Sequence, residues 1–354
     1  MENLKIVFVI PDMPGGGTER VVSLLANEYC HRGIEVAILL FAGNETAYRL
    51  DERIEVVSMG MPTGGRLGAR ALRIRKMRRY YRENRNCQIW SFSVMGAVFS
   101  VLAAGRKHYL LVSERSDPNQ YEHPKIRDFF YRFADVVVCQ TKEAMESFPK
   151  SIVKKATVLP NPVDILCEPW EGEREKRVVA AGRIGPPKNH EMLIRAFARF
   201  SEEFPDYTLE LYGKGVQEAE LKELASRLGI GQKVFFRGFS SRVQEKIRKA
   251  AMYVLSSDYE GVSNSLLEAM SIGIPVIATD CPIGGCRTYV KDGQNGLLVP
   301  VGGTEALAEA MIKIAKDPEL AARLGREGRK LREELQVDRV ADQFLNLQQR
   351  KEKR

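Results

Sequence analysis

The chain has 354 residues, of which 44% are hydrophobic and 28% are charged, a composition typical of soluble globular proteins. This composition excludes a mainly disordered chain, and the length favours two domains, because one hydrophobic core rarely organises so many residues. The formal net charge of +8, from 54 Lys+Arg and 46 Asp+Glu, points to an anionic partner such as a nucleic acid, a phosphorylated metabolite or an acidic membrane surface.

The N-terminus carries no recognisable secretion signal. Its apolar run, residues 6–10 after Lys5, is shorter than the apolar region of a signal peptide. The next run, residues 94–104, is far below the ~20 residues of a membrane-spanning helix. We therefore expect a cytoplasmic protein that at most lies on a membrane. Cys281 and Cys286 are five residues apart with no histidine or second cysteine pair beside them, which favours structural thiols over a metal site.

The first half of the chain has the pattern of a parallel sheet with helices on both faces. Short apolar runs rich in β-branched residues alternate with helical segments, as in strands that are buried on both sides. Strands are predicted at residues 5–10, 35–41, 54–59, 89–93, 109–115, 136–141 and 157–161. A helix over residues 18–32, ended by Gly33, follows the first strand. This predicted first domain spans residues 1–165.

Three consecutive glycines, Gly15, Gly16 and Gly17, follow the first strand. They let the main chain approach a bulky anion, and the next helix directs its positive end to the same place. The spacing is not that of the dinucleotide-binding G-x-G-x-x-G motif, and no acidic residue stands at the end of the second strand. The loop is therefore a candidate ligand site, with a plain tight turn as the alternative.

The whole charge excess lies in residues 66–85, which hold nine basic side chains and one acidic one, a net of +8 that equals the total. Apolar residues recur there at spacings of three or four, namely Leu67, Ala71, Ile74, Met77 and Tyr81. A helix with such an apolar stripe among arginines suits an anionic membrane surface. A domain helix with a cationic solvent face is the alternative. No nucleic-acid partner is expected, because no nucleic-acid-binding motif accompanies the charge.

Residues 162–176 contain two prolines, a glycine and many charges, and residues 166–176 are predicted to link this domain to a second one over residues 177–335. Strands are predicted at residues 177–183, 208–213, 233–238, 251–257, 274–280 and 296–301, and helices near residues 189–204, 216–229, 241–250, 263–272 and 304–316. The sequence thus predicts an α/β protein of two Rossmann-like, doubly wound parallel-sheet domains that face a cleft. A C-terminal helix, residues 336–354, is a candidate to pack back on the first domain.

Two cations flank the loop after the first strand of the second domain. Arg183 ends that strand, and Lys188 lies five residues later, just before a helix. Two positive side chains and helical amides that converge on one point suit a diphosphate without a metal, and two solvated surface charges are the alternative. No D-x-D carboxylate pair occurs in the sequence, so we do not expect a divalent cation to hold the phosphates.

Residues 258–280 place one acidic residue in a loop and another on a helix. Ser263 is predicted as the N-cap of this helix. Glu260 precedes it, and Glu268 lies eight positions after Glu260. Two carboxylates in this arrangement would hold hydroxyl groups on separate parts of an elongated ligand, with the exposed amides of residues 262–265 between them. A capped core helix with two exposed acids is the alternative.

Together these motifs resemble a known family. The Arg183 and Lys188 loop, the E-x7-E pair Glu260 and Glu268, and the later NGLLVP are similar to those of the retaining glycosyltransferases of family 4 (glycosyl transferases group 1), above all the enzymes of bacterial surface-polysaccharide and lipopolysaccharide assembly. The resemblance covers essentially the whole chain and implies the GT-B fold. It also implies transfer of a hexose with retention of the anomeric configuration, without a metal cofactor, from a nucleotide sugar that is usually a UDP-sugar.

The resemblance implies a role for each motif. Glu260 would hold hydroxyl groups of the transferred sugar, and Glu268 would hold the ribose. Arg183 and Lys188 would neutralise the diphosphate, and together with Glu260 they are the predicted catalytic residues. The remaining predicted donor-binding residues are Gly16, Gly17, Gly213, Gly238, Ser263, Asn264 and Ser265.

Two positions depart from the family pattern. Many relatives have a histidine near the sugar where this chain has Glu114 and Arg115, and His123 is the nearest candidate substitute. Thr288 stands where relatives commonly have an acid, so the choice of sugar is left open.

The leading hypothesis is a metal-independent transferase that moves a sugar from a UDP-sugar to a lipid-linked glycan at the inner face of the cell membrane. Its predicted partners are the nucleotide sugar, a lipid-linked or glycan acceptor, and an anionic membrane surface. The arginines predicted to make the acceptor or membrane contact are Arg73, Arg75, Arg78 and Arg79. A GT-B nucleotide-sugar epimerase and a non-catalytic, membrane-associated nucleotide-sugar-binding protein are the alternatives.

Overall fold

The computed structural model describes residues 4–44, 46–60 and 66–352. The chain divides into two compact units, the first formed by Met1–Pro162 with Val337–Arg354 and the second by Val163–Gln336. The division at residue 163 precedes the predicted domain end by three residues. Residues 166–176, predicted as a linker, belong to the second unit, and a strand already begins there at Glu175.

The first unit contains a fully parallel sheet. In the described part of the chain its strands lie in the order β3-β2-β1-β4-β5-β6-β7. The strands are β1 (Lys5–Ile10), β2 (Glu35–Leu40), β3 (Glu55–Ser58), β4 (Cys87–Ser91), β5 (Leu110–Ser113), β6 (Val136–Cys139) and β7 (Ala156–Val158). The helices are α1 (Gly17–His31), α2 (Arg66–Glu83), α3 (Val94–Ala104), α4 (Pro124–Tyr131), α5 (Lys142–Glu146) and α6 (Lys150–Val153).

The second unit repeats this design. Its described strands form a parallel sheet in the order β10-β9-β8-β11-β12-β13. The strands are β8 (Glu175–Ala181), β9 (Thr208–Tyr212), β10 (Val234–Gly238), β11 (Ala250–Leu255), β12 (Val276–Thr279) and β13 (Leu297–Val299). The helices are α7 (His190–Glu203), α8 (Glu218–Arg227), α9 (Val243–Ile247), α10 (Asn264–Ser271), α11 (Gly285–Tyr289), α12 (Thr304–Lys316), α13 (Pro318–Arg329) and α14 (Leu331–Glu334).

Both faces of the second sheet are buried, as the apolar runs predicted. Val178 and Ala180 of β8 belong to one buried apolar cluster, whereas Val179 and Ala181 belong to another. This alternation follows from the period of two along a strand. The predicted strands of both halves are confirmed, with ends that differ by up to three residues.

The helix that ends the described chain, α15 (Val337–Glu352), packs in the core of the first unit. The ring of Phe344 lies 5.7 Å from Trp90 and 6.3 Å from Phe92, centroid to centroid. The hydroxyl of Tyr29 on α1 donates to the carbonyl of Ala341 at 3.0 Å. The first unit is therefore completed by a segment that follows the second unit in the chain.

The basic segment forms α2, and part of its predicted apolar stripe is used inside the first unit. Met77 and Tyr81 are buried, and the Tyr81 hydroxyl lies 3.3 Å from the hydroxyl of Ser100 on α3. Ala71 is exposed, and the side chain of Leu67 lies outside the described residues. The prediction that this stripe faces a membrane is therefore wrong at Met77 and Tyr81, since these side chains pack against the fold.

Truncation of Phe344 tests the place of α15 in this core. We expect Phe344→Ala to lower the free energy of unfolding of the first unit by about 3–5 kcal/mol, because a buried aromatic ring is replaced by a cavity. The measurement is urea-induced unfolding of the full chain. The control Phe129→Ala removes a ring that is 53% exposed on α4, and its transition should move by less than about 1 kcal/mol. Equal shifts for the two variants would contradict the packing described above.

Candidate functional site

The candidate site lies at the carboxyl ends of β8 and β11 in the second unit. The strand order reverses between these neighbours, since β9 and β10 lie to one side and β12 and β13 to the other. In open parallel sheets, ligands bind beyond the carboxyl ends of the strands at such a reversal, because the two following loops diverge there. The loop after β8 carries Arg183 and Lys188, and the loop after β11 carries Glu260.

Lys188 and Glu260 form an ion pair. The lysine Nζ lies 3.0 and 2.9 Å from the two carboxylate oxygens, and the two side chains are 14% and 15% exposed. The family resemblance implies separate roles for them, Lys188 on the diphosphate and Glu260 on the sugar, whereas the structure joins them to each other. Arg183 is exposed.

The main chain around Lys188 is fixed by hydrogen bonds to the loop after β11. Ser256 Oγ donates to the Lys188 carbonyl at 2.9 Å, and the amide of Asp258 donates to the carbonyl of Pro187 at 2.9 Å. Asn189 caps α7 through a bond from the amide of Met192 to its Oδ1 at 3.0 Å and donates to Asp258 Oδ1 at 2.6 Å. The two loops are therefore held together independently of the ion pair.

A histidine beside the ion pair is held neutral. His190 begins α7 and is buried. Burial, helped by the positive charge of Lys188, lowers the pKa of His190 to about 4. At neutral pH it therefore adds no charge beside Lys188.

The start of α10 is organised differently from the prediction. Ser263 occupies the N-cap position, but its side chain makes no capping hydrogen bond within the described residues. Its hydroxyl lies 3.1 Å from that of Ser265, which donates to the carbonyl of Ala181 at 2.8 Å. The Tyr253 hydroxyl donates to Ser265 at 2.8 Å. These bonds tie the first turn of α10 to the end of β8.

Glu268 lies on α10 and is buried. The alternative of two exposed acids on this stretch is therefore wrong for Glu268. The neighbours of Glu268 on the helix, Leu266, Leu267, Ala269 and Met270, are buried as predicted. Asn264 begins the helix and is partly exposed.

Gly213 and Gly238 lie where the loops after β8, β9 and β10 meet. The Gly213 amide donates to the carbonyl of Gly238 at 2.9 Å. A Cβ atom on Gly213 would lie 1.8 Å from the carbonyl oxygen of Gly182, so only glycine fits there. Of the predicted donor residues of the second unit, Gly213 and Ser263 lie in loops after strands, Gly238 ends β10, and Asn264, Ser265 and Glu268 lie on α10.

The glycine loop of the first unit differs from the open anion site that the sequence predicted. Gly16 is the N-cap of α1 and Gly17 its first residue. A Cβ atom on Gly16 would lie 2.1 Å from a carboxylate oxygen of Glu19, so this carboxylate covers the start of the helix. The Tyr48 hydroxyl donates to the carbonyls of Gly15 and Gly16 at 3.1 Å each. Glu19 was missed, although a glutamate three residues after the N-cap is a known signal of self-capping.

A buried polar centre follows β5 in the first unit. Glu114 accepts hydrogen bonds from the Tyr131 hydroxyl at 2.9 Å and from the Ser116 hydroxyl at 3.0 Å. Burial and the charge of Glu114 raise the pKa of Tyr131 well above its usual value, so this hydroxyl stays a donor. The Arg115 guanidinium lies 5.5 Å from the centre of the Phe92 ring and donates to Asn161. Glu114 and Arg115 were candidates from the sequence, but no local pattern indicated their distant partners.

The other sequence candidates lie at the surface. His123 is exposed at the N-cap position of α4 and caps no amide among the described residues. Thr288 is exposed on α11, and its hydroxyl donates to the carbonyl of Gly284 at 2.7 Å. The described residues contain no cluster of three or more His, Cys, Asp or Glu side chains suited to a metal ion.

The exposed side of α2 forms a cationic surface on the first unit. The predicted residues Arg75, Arg78 and Arg79 are exposed, whereas Arg73 is partly buried. Arg78 donates to the carbonyl of Leu102 on α3 at 2.7 Å, and Arg79 pairs with Glu83 at 2.8 Å. In the part of the chain that the structure describes, no helix combines the length and apolarity needed to cross a bilayer.

Comparison with known proteins identifies the family. Residues 169–331 match the family model described as glycosyl transferases group 1, and residues 15–165 match that of glycosyltransferase family 4. A Campylobacter jejuni relative is 26% identical over 97% of this chain and 98% of its own. It is named as a GalNAc-alpha-(1->4)-GalNAc-alpha-(1->3)-diNAcBac-PP-undecaprenol alpha-1,4-N-acetyl-D-galactosaminyltransferase. The lipopolysaccharide core biosynthesis glycosyltransferase LpsE of Rhizobium meliloti is 32% identical over 48% of each chain.

A solved structure gives the same fold. Anabaena HepE in complex with UDP and glucose aligns with a TM-score of 0.84 at 22% identity, covering 97% of this chain and 99% of its own. The two parallel-sheet α/β units match the GT-B architecture of such neighbours. The chain therefore belongs to the glycosyl transferases group 1 of glycosyltransferase family 4, and it is a glycosyltransferase with the GT-B fold.

Proposed function

We propose that this glycosyltransferase moves a hexose from a UDP-sugar to a lipid-linked glycan in the assembly of a bacterial surface polysaccharide, with retention of the anomeric configuration and without a metal cofactor. The observation that carries the proposal is the Lys188–Glu260 ion pair at the point where the strand order of the second unit reverses. A nucleotide sugar bound there would present its diphosphate to the cation and its sugar hydroxyls to the carboxylate.

Donor binding would exchange the partners within this site. The diphosphate brings negative charge to Lys188 and to the exposed Arg183, and the amides at the start of α10 add hydrogen-bond donors. Once Lys188 turns to the phosphates, the carboxylate of Glu260 is left to accept hydrogen bonds from sugar hydroxyls. Glu268 would hold the ribose, and the loops at Gly213 and Gly238 would line the base. UDP is favoured because Anabaena HepE and the pneumococcal transferase GtfA were solved with UDP.

The reaction requires stabilisation of the departing diphosphate. Lys188 and Arg183 are the groups of this chain that would carry that charge, which develops as the bond from the sugar to the phosphate breaks. His190 is neutral beside Lys188, so it would add no positive charge to the phosphates. No side chain is assigned as a nucleophile. We do not favour the alternatives of an epimerase or a non-catalytic binding protein, because a relative that matches over its full length is named as a transferase.

The acceptor and the membrane would be met by the first unit. The Campylobacter relative is named for an undecaprenol diphosphate-linked acceptor. Here α2 presents exposed arginines, and large apolar side chains lie exposed on α2, α3 and α4, namely Leu72, Leu102, Ile126 and Phe129. Helix α2 packs against α3, and α3 packs against α4. Cations beside exposed apolar side chains fit an anionic lipid surface, where the charges meet head groups and the apolar groups enter the interface.

Removal of either donor-binding side chain tests the site. We expect Lys188→Ala and Glu268→Ala each to weaken UDP binding about 10- to 100-fold, because a hydrogen bond to a charged group is lost. Isothermal titration calorimetry with UDP measures the effect. Lys222→Ala and Glu223→Ala are matched controls, since both residues are exposed on α8 in surface ion pairs. Wild-type affinity in the two site variants would refute the site assignment.

Metal removal tests the mechanism. Transfer from a UDP-sugar to an undecaprenyl diphosphate-linked glycan should proceed at an unchanged rate in excess EDTA, because the phosphates are neutralised by side chains. Chromatographic detection of the extended glycan follows the reaction. A separate thermal-shift comparison of UDP-sugars with GDP-sugars tests the choice of nucleotide. Strict dependence of the rate on added Mg²⁺ or Mn²⁺ would contradict the metal-free account.

Charge removal on α2 tests the membrane contact. The triple variant Arg75→Gln, Arg79→Gln, Arg82→Gln should bind vesicles containing phosphatidylglycerol much more weakly, by about 1 kcal/mol for each charge, while it binds UDP normally. Vesicle co-sedimentation at low salt measures the loss. The control variant Arg195→Gln, Arg227→Gln, Arg242→Gln removes the same charge from exposed positions of the second unit. If both triple variants lose binding equally, net charge alone is responsible and the α2 surface is not the contact.

A further inference from the structure

Two cysteines of the second unit lie in contact through their sulfur atoms. Cys281 follows β12, and Cys286 lies on α11. Their sulfur atoms are 3.8 Å apart, both side chains are buried, and both thiols are free. A disulfide has a sulfur-to-sulfur distance of about 2.05 Å, so the two atoms need only a modest approach to form one.

The two thiols differ in reactivity. The hydrogen bond with Cys286 lowers the pKa of the Cys281 thiol, against the effect of burial. The same contact, together with burial, raises the pKa of the Cys286 thiol well above its usual value. The thiolate is the reactive form of cysteine. Cys281 is therefore the thiol of the pair that ionises more readily, and the Cys286 sulfur lies where it can attack an oxidised Cys281 sulfur.

The segment between the two cysteines packs directly on the loop that carries Glu260. A Cβ atom on Gly285 would lie 1.5 Å from the carbonyl oxygen of Gly261 and 3.4 Å from that of Glu260. Ile283 in the same segment has a φ of 57°, which a β-branched residue rarely adopts. Because the two main chains touch with no side chain between them, a shift of the cysteine segment moves the loop of Glu260 as well.

We propose that Cys281 and Cys286 form a reversible disulfide on exposure to a peroxide, and that this disulfide weakens donor binding at Lys188 and Glu260. The Cys281 thiolate attacks one peroxide oxygen, which breaks the O–O bond, releases water and leaves a sulfenic acid on Cys281. The Cys286 sulfur then attacks the Cys281 sulfur and releases a second water. Two thiols and one hydrogen peroxide thus give one disulfide and two waters. The effect on binding rests on the proposed function, whereas the disulfide does not.

The experiment uses the full-length protein with Cys167→Ser, which removes the one cysteine of the described chain that is not buried. Hydrogen peroxide is added in stoichiometric amounts, and the disulfide is mapped by peptide mass spectrometry without reduction. UDP affinity is measured before treatment, after it, and again after dithiothreitol. We expect a Cys281–Cys286 peptide pair, a loss of UDP affinity of about tenfold, and full recovery on reduction.

Two single variants serve as controls in the same background. Cys281→Ser and Cys286→Ser each remove one partner, so their UDP affinity should be the same before and after peroxide. An unchanged affinity in the Cys167→Ser protein that carries the mapped disulfide would overturn the inference, as would a Cys281–Cys286 pair that stays reduced. The reduced protein provides the separate check, because its failure to bind UDP at all would overturn the proposed donor site and not the disulfide.

Discussion

The candidate site depends on main-chain loops that touch each other without side chains between them. Gly213 meets the carbonyl of Gly182, and Gly285 meets that of Gly261, at positions where a methyl group would overlap the oxygen. These contacts join the loops that follow β8, β9, β11 and β12. Because the loops support one another through their main chains, their conformation does not depend on the side chains of Lys188 and Glu260. The position of Lys188 and Glu260 is therefore set before any ligand arrives.

The ion pair that occupies this site has a cost that a ligand can relieve. Removing a charge from water costs several kcal/mol, and a partner at short distance offsets only part of it. Lys188 and Glu260 lie 2.9 Å apart at a partly buried position, so each supplies a partner in place of the water that the other has lost. In the proposed function, a diphosphate would replace the carboxylate as the partner of the lysine, while sugar hydroxyls would replace the lysine as the partner of the carboxylate. The pair would thus hold the site ready for a ligand that carries both groups.

The glycine loop before α1 and the Lys188 loop differ in how readily a phosphate could bind. At α1 the positive end of the helix is already covered by the carboxylate of Glu19, so an incoming phosphate would meet negative charge unless that side chain turned away. The contribution predicted for Gly16 and Gly17 to phosphate binding therefore depends on a rearrangement, whereas that predicted for Lys188 depends only on an exchange of partners. Phosphate recognition is thus better supported in the second unit.

The strands and the order of the motifs were readable from the sequence because they depend on local patterns. Runs of β-branched residues gave the strands, and the spacing of Glu260 and Glu268 placed one acid in a loop and one on a helix. What the sequence did not show are contacts between distant residues. Ser263 holds the predicted N-cap position, yet its hydroxyl lies beside Ser265, which is held by Tyr253 from β11. Likewise Glu114 meets Tyr131, and Phe344 meets Trp90, across separations that no local pattern encodes.

The basic helix shows how such a contact changes the meaning of a pattern. A helix with an apolar stripe among arginines is read as a membrane helix when its stripe is assumed to be free. In α2 the stripe residues Met77 and Tyr81 are buried against the fold, so they anchor the helix and orient it. The arginines are thereby held outward, and Arg78 reaches α3 at the exposed residue Leu102. Any apolar contact with a bilayer would therefore come from several helices together, and α2 would supply mainly its charge.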